Sequence, residues 1–322
     1  MSATSAPDAV IEVKGLTKHF GNVEAVRGLD FVVPRGRVTG FLGPNGAGKT
    51  TTLRMLLGLV APNAGTATVL GRRYQDLDEP VRRVGAVLEA TSFHPTRRAR
   101  DHLRMLAVAA GIDERRVGEV LALVGLGDAA KRRVGGFSQG MRQRLELAGA
   151  LLGQPDVLIL DEPSNGLDPQ GIAWLRQLLR YLASQGTTVL VSSHLLAEMA
   201  QTVDDVIIIA EGRLRAEGTI AELAGQGRSA MRARTPEPDR LVQVAQAAGF
   251  APRRVAQDTV LVGGARPETL GPLLAQQRIV IYELTNEGTD LESIFLALTA
   301  PTPGSSPPVQ ATAPPFTPEE PR

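Results

Sequence analysis

The chain has 322 residues, 43% of them apolar and 21% charged, enough for one large folded unit and a smaller one. Its 35 Lys and Arg nearly balance 34 Asp and Glu, so no global charge draws it to nucleic acid, and no nucleic-acid partner is expected. The absence of cysteine excludes disulfides, thiol nucleophiles and Cys-ligated zinc.

Residues 1–8, rich in Ser, Ala and Pro, lack the basic and apolar regions of a secretory signal and are expected to be disordered. Apolar alternation starts at Val10-Ile11-Glu12-Val13, and residues 29–33 and 38–42 predict further strands. A Gly-rich turn follows, then a helix over 50–59 with Leu53, Leu56 and Leu57 on one face. Pro62-Asn63-Ala64-Gly65 reads as the turn closing that unit, and residues 84–88 as a strand. Residues 97–152 carry a helical pattern rich in Leu, Ala and Arg. Strands return at 157–160, 187–192 and 206–209, separated by helices at 171–183 and 195–203. The alternation predicts an α/β fold: a mostly parallel sheet covered on both faces, with the helical block inserted as a subdomain.

The composition loosens at residues 225–229. Beyond it the pattern predicts strand 230–234, helix 239–248, strand 259–262, helix 268–276, strand 279–283 and helix 291–298. That is a small α+β domain over 229–300, after a large domain over 9–224. Residues 301–322, rich in Pro, Thr and Ser, have too little apolar surface to fold and are expected to be disordered. No run is long and apolar enough to span a bilayer, so any membrane link is expected through a partner.

Gly43-Pro44-Asn45-Gly46-Ala47-Gly48-Lys49-Thr50 follows an apolar strand and opens a helix. This is a phosphate-cradling loop with one lysine for the β- and γ-phosphates and a hydroxyl suited to Mg²⁺. Gly43, Gly46 and Gly48 let the backbone turn its N–H groups inward, and the helix N-terminus adds positive potential. Later, the continuously apolar residues 157–160 end in Asp161-Glu162-Pro163. Carboxylates at the end of a central strand face the nucleotide crevice. Asp161 is suited to hold Mg²⁺, and Glu162 to act as general base on the attacking water.

With these motifs in order, the chain resembles the ATP-binding cassette (ABC) ATPases over roughly residues 10–223. Residues 43–50 look like Walker A and 158–162 like Walker B. Phe137-Ser138-Gln139-Gly140-Met141 stands where the family signature belongs, keeping only Ser138 and Gly140 of its Ser-Gly-Gly core. Residues 164–169 look like the D-loop, with Leu167-Asp168 at its centre. His194 occupies the switch-histidine position and Phe20 the adenine-stacking position. The resemblance implies a P-loop cassette with antiparallel N-terminal strands. It assigns Phe20, Gly43, Pro44, Asn45, Gly46, Ala47, Gly48, Lys49, Thr50, Thr51, Ser138, Gln139, Gly140 and Asp168 to ATP. It assigns Glu162, His194 and Lys49 to catalysis, and Thr50, Glu89 and Asp161 to Mg²⁺. Alternatives stand beside several of these: Phe20 as a core aromatic, His194 as a helix-cap or core histidine, Glu89 as an ordinary strand-end charge, Asp161-Glu162 as a solvated acidic turn, and Asp168 as an N-cap before Pro169, which is compatible with a D-loop role. His19, His94 and His102 lack metal-ligand spacing and are expected to be structural or superficial.

Glu89 stands where the family usually has Gln, a departure that resembles the bacitracin and lantibiotic export ATPases. The resemblance further implies a cytoplasmic motor on the inner face of the membrane, coupled to a separate permease. Residues 90–100, with Phe93 and Pro95, are the expected docking segment. With one phosphate loop and one signature, two chains are needed for two complete sites, so a second ATP-binding subunit is expected, a homodimer or a related pair. A drug, antibiotic or peptide exporter is the leading reading. The alternatives are a soluble mechanical ATPase of translation or DNA repair and a nucleotide sensor. Only about 90 residues separate Lys49 from Ser138, too few for a long antiparallel coiled coil.

Overall fold

The computed structural model describes residues 9–88, 93–226, 230–287, 295–296 and 298–300. The N-terminal layer is an antiparallel sheet of β1 (Ala9–Phe20), β2 (Val23–Pro34) and, further along the chain, β4 (Ala64–Val69), in the order β2-β1-β4. Between them come β3 (Val38–Leu42) and α1 (Lys49–Leu56). Residues 64–65, expected to end a turn, instead begin β4, which pairs with β1 from Thr17↔Ala64 to Ile11↔Val69. Small residues there carry little strand propensity, and pairing with β1 decides the outcome.

The short α2 (Pro80–Arg83) leads into β5 (Val84–Val87). The helical block follows as α3 (Ala99–Ala109), α4 (Arg115–Leu123) and α5 (Gln139–Ala150). Then come β6 (Val157–Leu160), α6 (Pro169–Ser184), β7 (Thr188–Ser193), α7 (Leu196–Met199), β8 (Asp205–Ala210), β9 (Arg213–Thr219) and α8 (Ile220–Gln226). The central sheet runs β5-β6-β7-β3-β8-β9, parallel except for β9, which returns antiparallel beside β8.

Strand periodicity explains why this sheet is buried on both sides. Leu158 and Leu160 of β6 join one core with Leu103, Val120, Leu145 and Leu179. Val157 and Ile159 point the other way, into a core with Phe41, Leu53, Leu56 and the β1 residues Ile11 and Val13. The first core also takes up Leu121, Val124 and Ala148 of the helical block, so that block is packed against the sheet.

Beyond residue 229 the order is β10 (Ala230–Arg234), α9 (Pro238–Ala247), β11 (Ala251–Ala256), β12 (Thr259–Gly263), α10 (Pro267–Gln276) and β13 (Glu283–Glu287). The sheet runs β11-β12-β10-β13, antiparallel throughout, the split β-α-β arrangement of ferredoxin-like domains. Met231, Ala233, Val260, Val262, Leu241 and Leu270 form its own core. The strand expected at 279–283 lies instead at Glu283–Glu287, in register with β10 from Arg234↔Glu283 to Ala230↔Glu287. Ile279 is buried in this small core rather than in the ladder. Of the helix expected at 291–298, residues 295, 296 and 298 are described and helical, and Phe295 is buried in the first cassette core. The tails 1–8 and 301–322 lie outside the described residues.

Candidate nucleotide site

The carboxyl ends of three adjacent strands meet at one place. In the register of the sheet, Leu42 of β3 lies beside Ser193 of β7, and Leu160 of β6 beside Val191. The segments leaving these strands, 43–50, 161–163 and 194, therefore converge without any contribution from the helical block. In open α/β sheets this crevice is where ligands bind.

The loop after β3 is a close backbone turn. A Cβ on Gly43 would fall 2.3 Å from the Ile209 carbonyl oxygen, so no other residue fits. Gly48 has φ +100 and a Cβ there would lie 2.6 Å from the Ala25 carbonyl oxygen. Gly48 is also the N-cap of α1, with no side chain spent on the cap and no acidic residue in the first turn. The helix thus offers its N-terminal N–H groups and positive end to an anion. Asn45 and Gly46 are exposed, Ala47 is buried, and Thr51 is half-buried in the first turn. These residues fit a polyphosphate.

Lys49, at 7% side-chain exposure, holds its ammonium within the loop. Its Nζ donates to the carbonyl oxygens of Gly43 at 2.6 Å and Pro44 at 3.3 Å, and lies 3.2 Å from Glu162 Oε1. The Thr50 hydroxyl donates to Asp161 Oδ2 at 2.7 Å. Glu162 Oε2 is 2.8 Å from His194 Nδ1. One carboxylate therefore touches both the lysine and the histidine, while its neighbour takes the threonine. The hard oxygen donors of Thr50 and Asp161, set side by side, fit a divalent cation. Glu162 has φ +47, a left-handed conformation that costs a non-glycine residue on the order of 1–3 kcal/mol and is held by its surroundings. His194 is neither a core residue nor a helix cap: its side chain is 36% exposed and engaged with Glu162.

A second group forms around the start of α5. Ser138 is its N-cap and accepts from the Met141 N–H at 3.3 Å. Gln139 and Gln143 both donate to the Asn165 carbonyl oxygen, at 3.4 and 2.6 Å, and a Cβ on Gly140 would meet Leu167. The signature turn and the loop after Glu162 are thus joined within one chain. Asp168 caps α6, accepting from the Gly171 N–H at 2.7 Å. Phe20, at the end of β1, is 51% exposed and therefore not a core aromatic; the Lys18 ammonium sits 5.1 Å from its ring centre. Glu89 and residues 90–92 lie outside the described residues.

The remaining histidines are apart from this site. His19 lies 3.9 Å from Glu24, and His94 shares a hydrogen bond with Thr96. His102 is buried edge-on to Phe93, where desolvation and then the nearby Arg97 charge hold its imidazole below the ordinary 6.5. Sequence reasoning passed over Ser192, Gln143 and Arg144. Ser192 contacts both acidic residues, and Arg144 stacks on Trp174 at 4.1 Å, tying α5 to α6. The one available signal was a pair of serines, Ser192-Ser193, ending an otherwise apolar strand.

Known proteins resemble this chain in sequence and in fold. The family model described as ABC transporter matches residues 26–165, and one described only as a domain of unknown function matches 229–292. The bacitracin transport ATP-binding protein BcrA of Bacillus licheniformis is 38% identical over 298 residues, covering 90% of this chain and 97% of that protein. The Nod factor export ATP-binding protein I of Burkholderia lata is 36% identical over 91% of this chain and 98% of its own length. A solved structure of an ATP-binding subunit of an ABC transporter superposes with a TM-score of 0.61 at 32% identity, over 67% of this chain and 92% of that one. Phosphate loop, paired carboxylates and histidine therefore stand in a chain that belongs to the ABC transporter family, as one of its ATP-binding, ATP-hydrolysing subunits.

Proposed function

We propose that this chain, paired with a second ATP-binding subunit, energises a separate membrane permease that exports a drug, antibiotic or peptide. The relative named for Nod factor export supports the export direction, and it and the relative named for bacitracin transport are both matched over nearly their whole length. The relatives are named as ATP-binding proteins of transport systems, which supports a separate chain for passage of the cargo. The small C-terminal domain accompanies the cassette in the same relatives, each aligned over about nine-tenths of this chain.

The observation that carries the reading is the convergence of Lys49, Thr50, Asp161, Glu162 and His194 at the ends of β3, β6 and β7. Asn45, Gly46, Gly48 and Thr51 offer backbone N–H groups to the phosphates, while Gly43, Pro44 and Ala47 shape the loop: the Gly43 and Ala47 N–H groups donate to the Ser193 and Pro44 carbonyl oxygens, and Pro44 has no N–H to give. Lys49 neutralises the charge of the β- and γ-phosphates, and Phe20 offers its exposed ring to the adenine. Thr50 and Asp161 would hold Mg²⁺, with Glu89 added on motif order, and the ion would neutralise charge gathering on the phosphate oxygens. Glu162 takes a proton from the water whose oxygen attacks the γ-phosphorus, and the bond to the bridging oxygen of ADP breaks. His194 holds the Glu162 carboxylate in place through Nδ1 and reaches the γ-phosphate with its other nitrogen. Ser138, Gln139 and Gly140, with the α5 N-terminus behind them, face the γ-phosphate bound by the other subunit, across the loop that contains Asp168. One phosphate loop and one signature per chain make a pair of subunits the smallest complete unit, and a homodimer the simplest one.

The test is Glu162→Gln. Turnover should fall about 100-fold or more, the order expected for loss of a general base, while ATP binding and nucleotide-dependent dimerisation persist. Hydrolysis near that of the unaltered chain would remove Glu162 from this role. Glu89→Gln and Glu89→Ala, titrated with Mg²⁺, test the cation assignment; unchanged turnover and Mg²⁺ midpoint in both would remove it. Purification of the chain with its membrane partner, followed by transport into vesicles, separates the exporter from a soluble ATPase or a sensor.

A further inference from the structure

We propose that Ser192 is a positioning residue for ATP hydrolysis, the group that sets the aim of Glu162 and Asp161 together. This rests on the roles assigned to those two carboxylates above. Ser192 is fully buried, the penultimate residue of β7. Its hydroxyl donates to Asp161 Oδ1 at 2.5 Å and accepts from the Glu162 N–H at 2.9 Å. A serine hydroxyl has one proton to give, and here it is committed to the cation-binding carboxylate. One of its two lone pairs accepts from the backbone N–H of the general base.

Both contacts matter because of what they restrain. Glu162 sits in the left-handed region, at φ +47, where its backbone has no intrinsic preference to stay. The N–H of that residue is past the end of β6, beyond the ladder with β7 that stops at Leu160↔Val191. Ser192 supplies the acceptor that the strand no longer provides. Asp161 has one oxygen on Thr50 and the other on Ser192, so its plane is fixed from two sides. The result is a continuous path: Thr50 to Asp161, Asp161 to Ser192, Ser192 to the Glu162 backbone, and Glu162 to Lys49 and His194. Ser192, fully buried, is the member that joins the two halves. Misplacement of a catalytic group by about 1 Å can lower a rate about 100-fold without changing ground-state binding. Ser192 thus acts on kcat, through the direction of Glu162, rather than on the grip on ATP.

The experiment compares Ser192→Ala, Thr188→Val and Glu162→Gln in the full-length chain. Thr188 is an equally buried hydroxyl at the other end of β7, accepting from the Gly36 N–H at 3.0 Å, so Thr188→Val matches the loss of a buried hydrogen bond without touching a carboxylate. Steady-state hydrolysis gives kcat and KM, a fluorescent ATP analogue gives affinity without turnover, and thermal unfolding gives stability. Ser192→Ala should lower kcat about 10- to 100-fold, with KM and analogue affinity within about twofold. Thr188→Val should lose a comparable amount of thermal stability and keep its kcat. Should Ser192→Ala fail to bind the analogue, Ser192→Cys repeats the test, keeping a donor at the site but a weaker one. A kcat within about twofold of the unaltered chain in the binding-competent Ser192 variant would overturn the proposal, as would an equal loss of kcat in Thr188→Val. If Glu162→Gln itself keeps its turnover, the general-base assignment fails, which is a separate result from a silent Ser192→Ala beside an inactive Glu162→Gln.

Discussion

The cassette and the small C-terminal sheet are built from the same elements, strands with helices packed on them, but they use the faces of their sheets differently. The central sheet is buried on both sides, with Leu158 and Leu160 in one core and Val157 and Ile159 in the other. Its side chains are committed to packing, so chemistry is displaced to the strand ends, where Thr50, Asp161, Glu162 and His194 contact one another. The small sheet buries one face, with Met231, Ala233, Val260 and Val262 against its helices. Its other face carries Arg232 and Arg234, exposed, and its edge strand β11 carries Arg253 and Arg254. Polar groups there form surface pairs, Arg234 with Asp258 at 3.0 Å and Arg254 with Asp239 at 3.0 Å. A two-sided core makes a rigid platform for a reaction site; a one-sided sheet leaves a charged surface held by screened interactions.

This contrast can be broken most directly at Lys49. Hydrogen bonds to charged groups contribute about 1.5–3 kcal/mol, so Lys49→Ala should weaken ATP about 10- to 100-fold by fluorescence titration. No substitution confined to the small sheet should approach that effect. On stability rather than on nucleotide affinity, the largest effect belongs to the core pair Ile159→Ala and Leu270→Ala, each expected to cost about 2–5 kcal/mol by denaturant unfolding. Added ATP should restore midpoint to Ile159→Ala, because ligand binding stabilises only the folded cassette, and leave the Leu270→Ala loss uncorrected. If ATP rescued both equally, the two cores would be one cooperative unit.

A smaller effect is expected at His102. Its folded value is lowered, so as pH falls through 6.5 the unfolded chain takes up a proton before the folded one does. Stability should therefore decline below 6.5, down to the lowered value, and be unaffected above it. His102→Phe should flatten that acid limb when urea midpoints are compared at about pH 5 and about pH 7.5. The smallest effect belongs to Asp258→Asn, where Arg234 and Asp258 are an exposed pair; the thermal midpoint should stay unchanged within error at about 0.15 M salt.

Much of the cassette is legible from residue order because its signals are local. A four-residue apolar run ending in Asp161-Glu162, or a glycine loop between strand and helix, carries its meaning within a few residues. β4, β9 and β11 are less legible. Ala64-Gly65-Thr66 and Ala251-Pro252-Arg253 have weak intrinsic strand preference and are strands because a neighbour's ladder accepts them. The displaced β13 has the same cause, since Tyr282 donates to the Arg234 carbonyl oxygen and Glu283 starts the ladder with β10.

The amino-acid order by itself determined the chemistry available: a lysine and threonine after a glycine turn, two carboxylates after a buried strand, a histidine after another. It also determined which strands are buried, because hydrophobic periodicity depends on near neighbours in the chain. Tertiary structure alone decided which of these groups touch. Ser192 and Asp161 are separated by 31 positions and Thr50 and Asp161 by 111, and only the register of β3, β6 and β7 brings their oxygens together. Hydrogen bonds act over about 3 Å of space whatever the distance along the chain, so the pairing of carboxylates with their partners belongs to the folded sheet.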